Sequence, residues 1–323
     1  MASGKKIILL TPRGFCAGVV RAIDVVKIAL EMYGAPIYVR KEIVHNKHVV
    51  DELRAAGAVF VEELAEVPAQ ARVIFSAHGV SPAVRTDAVA RNLNVIDATC
   101  PLVTKVHLEA VKFARKGYSI VLIGHENHDE VVGTLGEAPE AMKLVSTVED
   151  VEQLEVADPT KMAYLTQTTL SLDETSHIVK RLLERFPLIQ GPHSQDICYA
   201  TENRQVAVKA VAPLCDLLLV VGSKNSSNSQ RLVEVCQNSG VPAYLVDDES
   251  DVQTAWLDGV ATVAITAGAS APEHLVERIM SFLETNGFAE REELEVREED
   301  VRFQLPPELN SARLTQISTP ASL

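Results

Sequence analysis

The sequence predicts an α/β fold made of three similar units, each a mostly parallel sheet flanked by helices. Two observations carry this. Short aliphatic runs alternate with helical patterns along the chain, the grammar of β-α units. Three of the five cysteines, Cys16, Cys100 and Cys198, also recur in equivalent places, each in a loop just before a helical segment, at intervals of 84 and 98 residues. In order, Ile7-Ile8-Leu9-Leu10 reads as a strand leading through the Cys16 loop into a helix from about Ala17. Val73-Ile74-Phe75 precedes a helix from about Pro82, and Pro101, right after Cys100, suits a first helical turn. Ile120 to Ile123 is followed by a Gly-rich turn; Leu217 to Val221, Ala243 to Val246 and Val263 to Ile265 complete the strands, the last before a helix near Pro272. The units are expected at 1–99 with Cys16, 100–195 with Cys100 and 196–280 with Cys198, with segment 281–323 joined to the first. After Phe288 the pattern stops: residues 290–302 hold seven acidic and three basic side chains, and Ser318 to Leu323 is small and polar. That end reads as a solvated arm partly packed on the body.

Composition narrows the function. The 323 residues carry 30 Lys+Arg against 44 Asp+Glu, a net charge of −14, with no Lys/Arg-rich run, which argues against binding nucleic acid. With 47% hydrophobic and 23% charged residues, a buried core is expected. The aliphatic runs fall far short of the roughly 18 residues of a membrane span. The first ten residues run into Thr11-Pro12-Arg13-Gly14 without a signal-peptide cleavage site, so a cytoplasmic protein is expected. Five cysteines are too few and odd in number for a disulfide framework, which leaves thiols for metal or redox chemistry.

A thiol at a helix N-terminus is favoured as thiolate, and loops at the ends of parallel strands form ligand crevices. Three such thiols could ligate a [4Fe–4S] cluster, although the local Cys-x-x-Cys spacing of ferredoxins is missing. Spacing alone leaves open whether they are ligands or buried bystanders. Cys215 and Cys236, at a strand entry and inside a helical pattern, read as structural. Zinc fares worse: His125-Glu126-Asn127-His128 is one residue too short for His-Glu-x-x-His, and no Pro-Cys-x-x-Cys follows His128-Asp129-Glu130. His45, His78 and His128 fall in loops after aliphatic segments, where a site belongs. Gly222 to Ser229, Thr166-Gln167-Thr168-Thr169 and Thr266 to Pro272 place small hydroxyl and amide groups before helices, suited to a small anion. Each alone could be a helix cap. Neither a Walker loop nor a convincing dinucleotide fingerprint is present.

Taken in order, Pro12 to Gly18, Phe75 to Val80, Asp97 to Pro101, Thr166 to Thr169, Ile197 to Thr201 and Gly222 to Ser229 closely resemble the 4-hydroxy-3-methylbut-2-enyl diphosphate reductase family, over about residues 5 to 305. The segment between Gly136 and Met142 looks short beside some of its members. The resemblance implies three α/β units in pseudo-threefold arrangement around a central iron–sulfur cluster. It implies that Cys16, Cys100 and Cys198 hold one [4Fe–4S] cluster with one open iron site. His45, His78, His128, Ser226, Ser227, Asn228 and Ser270 surround the substrate's diphosphate, and Thr168 and Glu130 face its allylic hydroxyl. The implied reaction is the last step of the methylerythritol phosphate route to isoprenoids: reductive dehydroxylation of the allylic diphosphate to isopentenyl and dimethylallyl diphosphate.

Hydroxide leaves poorly, so a positioned acid is needed, a task for Glu130 with Thr168 as relay. Imidazoles around a diphosphate can donate N–H, and protonated ones add charge. With no flavin or nicotinamide motif visible, electrons come from a ferredoxin or flavodoxin, and a local basic patch including Arg13, Arg21 and Lys27 is expected to dock such an acidic carrier. The rival class is an iron–sulfur sensor or electron-transfer protein, which needs the thiols but not Glu130.

Overall fold

A computed structural model describes residues 4–309; Met1 to Ser3 and the polar end Ser318 to Leu323 lie outside the described residues. The chain opens with β1 (Lys5–Thr11) and α1 (Ala17–Tyr33). Next come β2 (Ile37–Arg40), α2 (Lys47–Ala55), β3 (Ala58–Val61), β4 (Arg72–Phe75), α3 (Pro82–Ala90) and β5 (Asn94–Asp97). The middle holds α4 (Pro101–Arg115), β6 (Ser119–Ile123), α5 (Asp129–Leu135), β7 (Met142–Val145), α6 (Val148–Gln153), β8 (Met162–Thr166) and α7 (Leu172–Arg185). The last part holds α8 (Tyr199–Val211), β9 (Leu217–Val221), α9 (Ser227–Asn238), β10 (Ala243–Val246), β11 (Thr262–Ala267), α10 (Glu273–Thr285) and β12 (Phe288–Glu295).

Three parallel sheets result, ordered β3-β2-β4-β5, β7-β6-β8 and β10-β9-β11-β1-β12. β9 is buried at all five residues, as a parallel strand covered on both faces must be. The helices that follow the three cysteines each cover a different sheet: α1 the first, α4 the second, α8 the third.

The sheet memberships correct the expected boundaries. β1 lies between β11 and β12 rather than in a first unit spanning 1–99, and 288–295 joins the third sheet rather than the first. The reason is two-sided burial. Ile7 packs into the core on one face of the third sheet while Ile8 and Leu10 pack into the core on the other, so the strand needs an interior position with helices on both sides. Part of the expected attachment survives further on, where Leu309 is buried in the core under α1.

Residues 288–295 are therefore a strand, not a solvated arm. Their sequence, Phe-Ala-Glu-Arg-Glu-Glu-Leu-Glu, hides this because an edge strand exposes most side chains, and charges there guard against edge-to-edge pairing. Phe288 anchors it, fully buried beside Ile7 and Leu283. Phe288→Ala is expected to destabilise the fold by about 3–5 kcal/mol in urea unfolding; a loss below about 1 kcal/mol, the range of surface changes, would return the segment to the status of an arm.

Candidate functional site

The loops at the C-terminal ends of strands from all three sheets meet at one cavity, the place an open parallel sheet offers a ligand. All twelve candidate residues line it.

Cys16, Cys100 and Cys198 occupy the N-cap positions of α1, α4 and α8. A methyl group placed on Gly18 would lie 2.8 Å from the Cys100 Sγ and 3.8 Å from the Cys16 Sγ, so these two thiols flank one point. The Cys198 Sγ accepts from the Thr201 amide at 3.4 Å and lies 3.2 Å from its hydroxyl. At Cys100 and Cys198 the expected thiolate preference is reversed. Burial, and to a lesser degree the other thiols, push Cys100 up to about 12 and Cys198 up to about 11, outweighing the hydrogen bonds at the helix starts. Such thiols stay protonated until a metal displaces the proton.

Facing them, His45 and His78 stack at 4.0 Å between ring centroids, and His128 meets both edge-on at 5.4 and 5.9 Å. Burial and neighbouring imidazoles hold His78 well below its ordinary value and His128 near 3. Near neutral pH these two rings enter the site as uncharged N–H donors, not as the cations their number suggests. His128 also caps α5, its Nδ1 accepting from the Glu130 amide at 3.2 Å, which fixes the turn that carries the Glu130 side chain.

Glu130 is 3% exposed, and its carboxyl accepts from the Thr168 amide at 2.7 Å and the Thr168 hydroxyl at 2.9 Å. Burial raises it to about 7 against the pull of those two bonds, with Asp196 adding a smaller push. A proton can therefore be held and released near neutrality, the condition for a general acid. The Thr168 carbonyl in turn accepts from the Cys198 amide at 3.0 Å, tying the carboxyl to a thiol loop.

On the third side stands α9, capped by Ser226, whose Oγ accepts from the Ser229 amide. The Ser227 hydroxyl bonds Thr169 at 3.1 Å, and Ser270 donates to the His45 carbonyl at 2.8 Å. Asn228 lines the cavity with its amide engaged, donating to Thr201 at 3.2 Å and accepting from the Ala269 amide at 2.9 Å.

Among the described residues, the ligand atoms that converge within 4.8 Å, as one ion requires, belong to His45, His78 and Asp129. The three thiols are not such a set. Zinc–sulfur bonds of about 2.3 Å would draw them closer than they stand, whereas a multi-iron cluster spans a wider gap; the donor set fits the latter.

A family model described as LytB protein matches residues 7–284. The chain belongs to the LytB protein family. Among its relatives, the 4-hydroxy-3-methylbut-2-enyl diphosphate reductase of Nocardia farcinica is 58% identical over 312 residues, 96% of this chain and 93% of that one. The protein of the same name from Rhodococcus jostii is 59% identical over 310 residues, covering 96% and 92%. The Plasmodium falciparum E-1-hydroxy-2-methyl-but-2-enyl-4-diphosphate reductase structure superposes with a TM-score of 0.95 at 40% identity, covering 98% of this chain and all of that one.

Within this LytB fold the expected carrier-docking patch is not free. Arg13 pairs with Glu273 at 2.6 Å and Glu293 at 3.3 Å, and Lys27 with Glu52 at 2.8 Å. Arg21 is 9% exposed and bonds backbone carbonyls. Sequence reasoning could not see these partners because each lies at least 25 residues away. It also gave no role to Thr201, although the motif around Cys198 contains it; its position three residues after the N-cap was the available signal.

Proposed function

We propose that this protein reduces (E)-4-hydroxy-3-methylbut-2-enyl diphosphate to isopentenyl and dimethylallyl diphosphate, with an iron–sulfur group as its redox centre. One observation carries the reading: a buried acid poised near neutrality shares a cavity with three thiols at helix N-termini and three clustered imidazoles. Cys16, Cys100 and Cys198 would hold a [4Fe–4S] cluster with one iron lacking a protein ligand. When bound, that group supplies single electrons and Lewis acidity at the open iron.

The chain's own residues do the rest. Neutral imidazole N–H groups and the hydroxyls of Ser226, Ser227 and Ser270 bind and orient the diphosphate, and Asn228 fixes the loops that present them. A bound diphosphate adds negative charge beside Glu130 and holds its proton more firmly. Glu130 passes that proton through the Thr168 hydroxyl to the departing C4 oxygen, which leaves as water. The balance is two electrons and two protons in, one C–O bond broken, one C–H bond formed and one water released. A ferredoxin or flavodoxin supplies the electrons at a surface other than the Arg13, Arg21 and Lys27 side chains. Among the described residues no helix is long and apolar enough to cross a membrane, and nucleic acid has no part in the reaction.

The test is Mössbauer spectroscopy of anaerobic, iron-57-labelled protein before and after adding the substrate. A four-iron cluster with one distinct iron whose parameters alone move is expected. Equivalent, unmoved irons favour a sensor or electron carrier, and a protein that binds no iron overturns the reading.

A further inference from the structure

Each cysteine is followed, five or six residues along its helix, by a cation: Arg21 after Cys16, Lys105 after Cys100, Arg204 after Cys198. Each reaches beyond its own cysteine segment, although Arg204 Nη1 also donates one turn back to the Ala200 carbonyl at 2.8 Å. Arg21 Nη1 donates to the carbonyls of Ala98 and Thr99 at 3.0 and 3.1 Å, Nη2 to that of Asp97 at 3.4 Å, and Nε to that of Gln304 at 2.7 Å. These first three carbonyls directly precede Cys100. Lys105 donates to the Ser194 carbonyl, to the Gln195 carbonyl at 3.1 Å and to the Asp196 carboxylate at 2.7 Å, the residues just before Cys198. Arg204, fully buried, donates to the Gly14 carbonyl at 2.8 Å and pairs with Glu299 at 3.0 Å; Gly14 is two residues before Cys16. The helix behind each cysteine thus grips the loop in front of the next, and the third grip closes the ring on the first.

We propose that Arg21, Lys105 and Arg204 are cyclic staples that fix the three cysteine loops relative to one another around the iron–sulfur group and place positive charge beside it. The proposal rests on the three cysteines being that group's ligands. Thiols delivered by three sheets have no local sequence to space them, so their separation must be set by contacts between units. A buried cation is costly unless its donors are satisfied, and here most of them are met by loops whose position decides whether three sulfurs match one cluster, the buried Arg204 Nε being the exception among the described residues. A [4Fe–4S] core with three thiolates is net negative and more so when reduced, so nearby cations favour the reduced form. Among the described residues Arg21 donates to carbonyls, with the Asp97 and Glu308 carboxylates near enough to attract it, whereas Lys105 and Arg204 pair directly with Asp196 and Glu299. All three are positioning residues, not catalytic ones.

The test compares anaerobically reconstituted wild type with Lys105→Met, Lys105→Arg, Arg21→Lys and, as a control, Lys112→Met, which makes the same charge change two turns along α4. Two readouts are taken: iron release to a chelator, and the cluster midpoint potential by redox titration. Lys105→Met is expected to release iron about tenfold faster, the scale of lost outer-shell support, with a more negative midpoint. Lys105→Arg should stay within about twofold of wild type on the same scale. Arg21→Lys, keeping charge but losing the fork, should speed release with little change in midpoint, and it decides the matter should Lys105→Met not fold. Release rates and midpoints equal to wild type in both, or an equal effect from Lys112→Met, overturn the staples. Wild type that takes up no iron overturns instead the reading on which they rest.

Discussion

Glu130→Gln is expected to fold, keep its iron and lose turnover by about 10²–10⁴-fold, the usual worth of a positioned proton donor. The substitution is nearly isosteric and keeps an acceptor for the Thr168 amide, so the geometry at 2.7 Å can persist; what goes is the proton. Because Glu130 titrates at about 7 in the free protein, wild-type kcat/KM with the allylic diphosphate should fall as pH rises through 7, and the residual activity of the variant should lack that limb. Stability gives an independent check. The folded-state value lies above the ordinary 4.5, so the neutral carboxyl stabilises the fold fully below pH 4.5, and this contribution fades as pH rises toward 7. Glutamine never ionises. The difference in melting temperature between variant and wild type should therefore shift in the variant's favour across that window. Turnover near the wild-type level in Glu130→Gln would place the acid elsewhere.

The α/β class and the three-unit rhythm were legible because they rest on local patterns: strands such as Leu217 to Val221 and helix starts such as Pro101 announce themselves in a few residues. All twelve candidate residues line one cavity for a related reason, since eleven follow a parallel strand, in the loop or at the start of the next helix, and Cys198 caps a helix that follows another helix. What stayed hidden is non-local. The sheet that β1 joins depends on which cores flank Ile7 and Ile8, and β12 looks like solvated chain because seven of its eight residues leave little apolar signal around Phe288. Charge states were hidden too. The helix starts at Cys100 and Cys198 argue for thiolate and the imidazoles for charge, yet burial reverses both. Arg21 reads as a surface cation until its carbonyl partners, 76 or more residues away, are known.

Gly18→Ala is expected to strip the iron while leaving the fold as stable as before or more so. Gly18 is the second residue of α1, and alanine normally improves a helix by about 0.5–1 kcal/mol over glycine. Here the added methyl would sit 2.8 Å from the Cys100 Sγ, closer than carbon and sulfur can pack, and 3.8 Å from the Cys16 Sγ. A protonated Cys100 can turn to another rotamer at small cost. A ligating Cys100 cannot, because its sulfur must point where the cluster needs it. Iron bound after anaerobic reconstitution should drop to about a tenth of wild type or less, at or beyond the loss usual for outer-shell changes, with activity falling in step and the apo-protein melting no lower than wild type. If the three cysteines were merely buried, Cys100 would turn aside in the same way and the iron content of variant and wild type would be the same. The iron assay therefore separates a cluster cradle from ordinary core packing, and the melting curve on the same sample shows that lost iron is not lost fold.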